Sequence, residues 1–205
     1  MSNQRIAILG AGGHTRAIVS LLKQLNLGAY GIYDDSFVPD APEEILSVPV
    51  RGTLAALPDE LDVVLSFGSL ERRRALYQRL RSRVLAENLI SPRAFIDASA
   101  ALGQSNTILG NASLGACVQV GVNNIVNASA TIEHEVIVGD HCHVAVNATV
   151  CGRARIGSGC FVGAGAVIID KVRLGDGVTI GAGGVVIEDL LAPGTYVGNP
   201  VKKVG

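Results

Sequence analysis

From Ile96 onward an aliphatic residue returns every six positions, through Leu102, Ile108 and Leu114 and on to Val186. Sixteen such positions follow one another without a miss or an insertion. The residue two places earlier is nearly always small (Ala, Val, Cys, Asn or Gly), and Gly follows the aliphatic in eight of the sixteen hexads. A hexapeptide period of this kind marks a parallel β-helix. Each hexad is then one short strand plus a corner, three hexads make a triangular coil, and coils stack about 4.8 Å apart through strand hydrogen bonds. The aliphatic fills the interior, the small residue fits beside it, and the glycine is expected to relax the corner. Sixteen hexads make a little over five coils. Segment 187–205 is expected to end the prism, because Pro193 and Pro200 cannot continue a central strand.

Residues 5–90 follow a different pattern. RIAILG (5–10) reads as a short apolar strand running into GAGGH. Ala17, Ile18, Leu21, Leu22 and Leu25 then form one stripe at helical spacing. AYGIYDD (29–35) is a second strand ending in two acids, VVLSFG (63–68) a third, and a basic helix runs from about Leu70 to Val84. Short connections between strand, helix and strand imply parallel strands with right-handed crossovers. The unit is Rossmann-like but too short for a full dinucleotide domain. The expected division is an α/β domain over 1–90 and a β-helix over 91–205.

Composition agrees with this division. The 205 residues include 25 Gly, about 12% against roughly 7% in ordinary globular chains. Aromatic residues make up 4%, and Phe161 is the only one inside the repeat, as a narrow prism demands. The net charge of −1 argues against a nucleic-acid binder, which needs a basic face. MSNQRIAILG lacks the apolar core of a signal peptide, and no apolar run suits membrane insertion, so a cytoplasmic location is expected. Cys117, Cys142, Cys151 and Cys160 show no CxxC spacing. Cys142 and Cys160 fall on small inward positions and read as reduced core thiols. No metal site is expected.

The hexapeptide code, GAGGH, the acid pair Asp34-Asp35 and IEHEVIVGDHCH together resemble one branch of the left-handed β-helix acyltransferases. That branch comprises acetyl-CoA-dependent sugar acetyltransferases, including bacillosamine N-acetyltransferases and sialic-acid O-acetyltransferases. The resemblance implies the left hand of the helix, acetyl-CoA as co-substrate, a nucleotide-linked amino sugar as acceptor, and a homotrimer with active sites between subunits.

Acetyl transfer from a thioester needs a base for the acceptor proton and donors for the developing oxyanion. His134 sits at a corner, where a side chain can point outward, and Glu135 can orient its ring and raise its basicity. His143 follows nine residues later, half a coil away, so within one chain the two rings face opposite sides of the prism. If both contribute, the site lies between subunits; the resemblance gives His143 a role in acetyl-CoA binding. It also places Ala164 and Ala182 beside the groove for the CoA arm, while Lys202 and Lys203 suit its phosphates. GAGGH is not a dinucleotide fingerprint, because position 15 is Thr where a third glycine is required. Its glycines can still bring backbone amides to a phosphate at a helix start. By resemblance, Gly12, Gly13, His14, Asp34, Asp35 and Gly68 hold the nucleotide. The arginines from Arg72 to Arg83 read as a solvated helix face, with Arg73 as the functional option. His141 reads as structural.

Two other readings compete with N-acetylation. A sialic-acid-type O-acetyltransferase uses the same machinery without a nucleotide. A γ-carbonic-anhydrase-type metalloenzyme would use His134, His141 and His143, whose spacing does not fit that family. A non-catalytic scaffold is opposed by the outward His134-Glu135 pair.

Overall fold

A computed structural model describes residues 6–41 and 43–205. Arg5, expected to open the first strand, lies outside the described residues. The chain forms two compact units, Met1–Ala86 and Glu87–Gly205.

In the first unit, β1 (Ile6–Leu9) is wholly buried and α1 (Gly13–Gln24) follows it. Ile18, Val19, Leu21 and Leu22 bury one helical stripe. Then come β2 (Ala29–Tyr33), β3 (Glu44–Ile45), β4 (Val48–Gly52), β5 (Asp62–Leu65) and α2 (Leu70–Arg79). The sheet order is β3-β4-β2-β1-β5, parallel except for the β3–β4 hairpin. The strands leave β1 toward β2 and β4, then return to its other side at β5. The carboxyl ends of β1 and β5 therefore flank the point where the order reverses, the usual crevice for ligands in open α/β sheets. The β3–β4 hairpin was not expected, since Val-Pro-Val-Arg is short and carries a proline. Helix α2 stops at Arg79 rather than Val84, because Val84 bridges to Val63 at the sheet edge. One arginine of the expected solvated face is in fact buried: Arg73 is 1% exposed.

The second unit is a parallel left-handed β-helix of two-residue rungs. The first face runs from Phe95–Ile96 through Thr131–Ile132 to Val185–Val186, and the second from Ala101–Leu102 through Ile137–Val138 to Arg173–Leu174. The third starts at Leu89–Ile90, which pairs with Thr107–Ile108 and so already belongs to this unit. Its later rungs include His143–Val144 and Phe161–Val162. Aliphatic residues such as Val126, Val144, Val162 and Ile180 stack inside, all essentially inaccessible. Asn106 and Asn124 also stack there, Asn106 Oδ1 accepting the Asn124 backbone N–H at 2.8 Å. Cys142 and Cys160 are buried thiols whose Sγ atoms lie 3.0 and 3.1 Å from the carbonyls of Gly157 and Gly175.

Two expectations about the prism are corrected. The glycine after each aliphatic does not relax the corner. Left-handed backbone comes two residues later, at fourteen successive positions from Ser105 to Gly183, and most carry side chains, among them Glu135, His141 and Arg153. The glycines instead admit the next coil: a Cβ on Gly157 would fall 2.7 Å from the Gly175 carbonyl carbon. The second correction concerns the tail, which extends the third face rather than ending it. Gly194–Gly198 pairs in parallel with Val178–Ile180 and antiparallel with Val201–Val204. Pro193 precedes that strand and Pro200 lies in the turn after it, so neither proline removes a donor from the ladder.

Candidate active site

His134 lies in the corner between the first and second faces, just after the rung Thr131–Ile132. Its Nδ1 is 3.0 Å from Glu135 Oε2. A carboxylate only accepts, so Nδ1 carries the proton and Nε2 of the neutral ring keeps its lone pair. Glu135 adopts the left-handed corner conformation with φ of 60°. Both side chains are about half exposed. The hydrogen bond to His134, and then Arg153, hold the Glu135 carboxyl below the ordinary carboxylate range. It is therefore ionised at neutral pH and suited to orienting an imidazole that gains a proton.

Two residues of the next coil complete this corner, and sequence reading did not single them out. Arg153 Nε donates to Glu135 Oε2 at 3.0 Å. The imidazole lies against Gly152, where a Cβ would fall 2.6 Å from both Cε1 and Nε2. Their offset of eighteen residues from Glu135 and His134 is the signal that could have found them, since one coil is eighteen residues long.

His143 is on the third face, which lies opposite the corner of His134. It is buried, with Nε2 3.2 Å from Asn127 Nδ2 and its ring edge-on to Phe161 at 5.2 Å. Within one chain the two histidines are thus on opposite sides of the prism. Ala164 and Ala182 are exposed and stack on the corner between the third and first faces, where Gly183 N–H donates to the Ala164 carbonyl at 2.8 Å. Lys202 is exposed in the terminal hairpin opposite Val197. His141 is buried in a left-handed corner with Nδ1 2.9 Å from Asn123 Nδ2. Among the described residues, no three His, Cys, Asp or Glu side chains gather as a metal-ligand set.

In the first unit, Gly12, Gly13, His14, Asp34 and Gly68 line one cavity of about 400 Å³, together with Ser66, Phe67 and Arg72. It opens where the strand order reverses. Gly12 caps α1 without a side-chain hydrogen bond to the helix, and the first turn holds no acid, which suits an anion there. Thr15 occupies the place of the missing third glycine, its hydroxyl 2.7 Å from the Gly10 carbonyl and 2.8 Å from Ser66 Oγ. This ties the ends of β1 and β5 together beneath the cavity. Burial pushes the Asp34 carboxyl up, but hydrogen bonds from Ser36 and from Ala11 N–H outweigh it and hold it below the usual value. Burial, with the charge of Arg73, lowers His14 to about 4, so it is neutral at pH 7. Asp35 is held elsewhere: it pairs with Arg72 at 3.0 Å, accepts the Leu54 N–H, and lines a neighbouring cavity of about 460 Å³. Arg72 also covers the Phe67 ring at 4.3 Å.

Comparison with known proteins matches both units. Residues 5–80 fit the PglD N-terminal domain model, and residues 153–188 fit the bacterial transferase hexapeptide model. Curated protein sequences give no significant match. Among solved structures, the acetyltransferase domain of PglB from Neisseria gonorrhoeae, in complex with acetyl coenzyme A, is 30% identical with a TM-score of 0.90. The match covers 99% of this chain and 100% of that one. PerB from Caulobacter crescentus, in complex with CoA and GDP-perosamine, is 28% identical with a TM-score of 0.91, covering 100% and 99%. WeeI from Acinetobacter baumannii, 21% identical with a TM-score of 0.81 over 98% and 100%, shares the fold. With similarity running the full length of both units, the chain belongs to the hexapeptide-repeat sugar acetyltransferase family.

Proposed function

We propose that this chain is an acetyl-CoA-dependent N-acetyltransferase acting on a nucleotide-linked amino sugar. The observation that carries the reading is the His134–Glu135 hydrogen bond, which leaves an imidazole lone pair on an exposed corner of the β-helix. The sugar amine forms its bond to the acetyl carbonyl carbon while the carbon–sulfur bond of the thioester breaks. His134 Nε2 takes the proton from the amine and passes it to the departing thiolate. Glu135 holds the ring and stabilises the imidazolium formed on the way.

Acetyl-CoA is bound with help from His143, Ala164, Ala182 and Lys202. Because His143 lies opposite His134 in one chain, a complete site takes His134 from one copy and His143 from a neighbour. The assembly is a trimer, to be seen as a solution mass three times 21.2 kDa. The nucleotide occupies the cavity of the first unit, its phosphate at the amides of Gly12 and Gly13, with His14, Asp34 and Gly68 around it. Asp35 acts through Arg72. A built cavity at the strand-order reversal favours a nucleotide-linked sugar over O-acetylation of a free one.

The test is a panel of UDP-, dTDP- and GDP-linked amino sugars incubated with acetyl-CoA and followed by thiol release. One of them is expected to support turnover, while the corresponding free amino sugars do not. Equal turnover of free and nucleotide-linked sugars would overturn the substrate class.

A further inference from the structure

Arg153 reaches the His134–Glu135 pair by two routes. Its backbone N–H donates to the His134 carbonyl at 3.0 Å, and its side-chain Nε donates to Glu135 Oε2 at 3.0 Å. That oxygen is the same one that receives Nδ1–H of His134. One carboxylate oxygen therefore ties together an imidazole on one coil and a guanidinium on the next. Without Arg153 the Glu135 side chain, half exposed at a corner, has only its neighbour's ring to hold it. A mobile carboxylate holds a mobile ring, and general-base catalysis depends on the ring's position. The backbone of Arg153 repeats the left-handed corner of Glu135 one coil on, with φ of 63° against 60°. Two side chains that leave equivalent points of stacked coils start about 4.8 Å apart, so the pairing follows from the register of the repeat.

We propose that Arg153 is a positioning residue for acetyl transfer. From the adjacent coil it holds the Glu135 carboxylate, which fixes the His134 imidazole with Nδ1 toward Glu135 and leaves Nε2 as the proton acceptor. This rests on His134 being the base. Ordinary surface ion pairs contribute little to stability. Its effect is therefore expected in turnover rather than in folding.

The test uses Arg153→Asn and Arg153→Lys, since asparagine already occupies the same left-handed corners at Asn111, Asn123 and Asn147. Glu135→Asn and the Arg153→Asn/Glu135→Asn double variant complete a cycle. Arg153→Asn is expected to lower kcat about tenfold, a coupling typical of residues in one hydrogen-bonded network, with KM for both substrates unchanged. Arg153→Lys restores part of the loss, and in the Glu135→Asn background Arg153→Asn costs nothing further. A raised KM at unchanged kcat, wild-type kinetics in Arg153→Asn, or the same tenfold loss in both backgrounds each overturns the proposal. If Arg153→Asn melts well below the wild type, Arg153→Lys carries the test: kcat no higher than in Arg153→Asn, at wild-type melting temperature, also overturns it. Failure of the underlying reading looks different: His134→Ala then turns over at the wild-type rate.

Discussion

Adding one methyl group at Gly152 separates catalysis from folding at this corner. In Gly152→Ala the new Cβ falls 2.6 Å from Cε1 and Nε2 of His134 and 3.2 Å from Cδ2. Relaxed contacts of this type begin near 3.5 Å, so the imidazole must withdraw by about 0.9 Å. A shift of that size stretches or breaks the 3.0 Å hydrogen bond to Glu135. Misplacing a catalytic group by roughly 1 Å costs on the order of 100-fold in rate. Folding is spared, because Gly152 does not use left-handed backbone and the ring, 49% exposed, is free to swing toward water. Gly157→Ala is the contrast. Its Cβ meets backbone atoms of the next coil at 2.7 Å, and these move only if the ladder opens, for a destabilisation of about 1–3 kcal/mol. Thiol-release kinetics and thermal melts on both variants make the comparison. Wild-type kcat/KM in Gly152→Ala, or a melt as early as that of Gly157→Ala, would refute a clash confined to the His134 ring.

Two further outcomes are expected. Mixing equal amounts of His134→Ala and His143→Ala chains, dissociated and allowed to reassemble, regains about a quarter of wild-type activity, because random assembly gives one site in four both histidines; a reassembled mixture that stays inactive argues against a shared site. His14 titrates near 4 in the folded protein against an ordinary value of 6.5. Between these values the unfolded chain binds the extra proton. Stability from this group is therefore full above pH 6.5 and lost as pH falls toward 4, by at most about 3 kcal/mol. Urea melts from pH 7 to 4.5 should show a steeper loss of stability in the wild type than in His14→Gln; equal slopes would exclude the cause.

The prism was legible because a single aliphatic every sixth residue leaves no other fold to adopt. Its corners were not. Asn and Gly hold seven of the fourteen left-handed corners, but Ser, Cys, Glu, His, Arg and Lys hold the other seven because the register of stacked coils imposes the turn, so residue type marks only half of them. Glycine beside the aliphatic looked like a turn residue, whereas Gly157 and Gly163 serve close packing between coils. In the first unit, the family resemblance joined GAGGH to Asp34, and their places just after the adjacent strands β1 and β2 are why they meet. The separate placement of Asp35 could not, since it depends on Arg72 reaching across from α2. The burial of Arg73 was hidden inside a charge run, where composition argues for solvent. His134 and Glu135 stood out as neighbours in sequence, but Arg153 became visible only through stacking.

In the proposed reaction His134 removes the proton from the acceptor amine. This role is tested most directly by comparing turnover and binding in His134→Ala. The expected result is loss of thiol release by several orders of magnitude, with calorimetric binding of acetyl-CoA and of the nucleotide-linked sugar unchanged. Turnover within a few-fold of the wild type, with both substrates still bound, would contradict it.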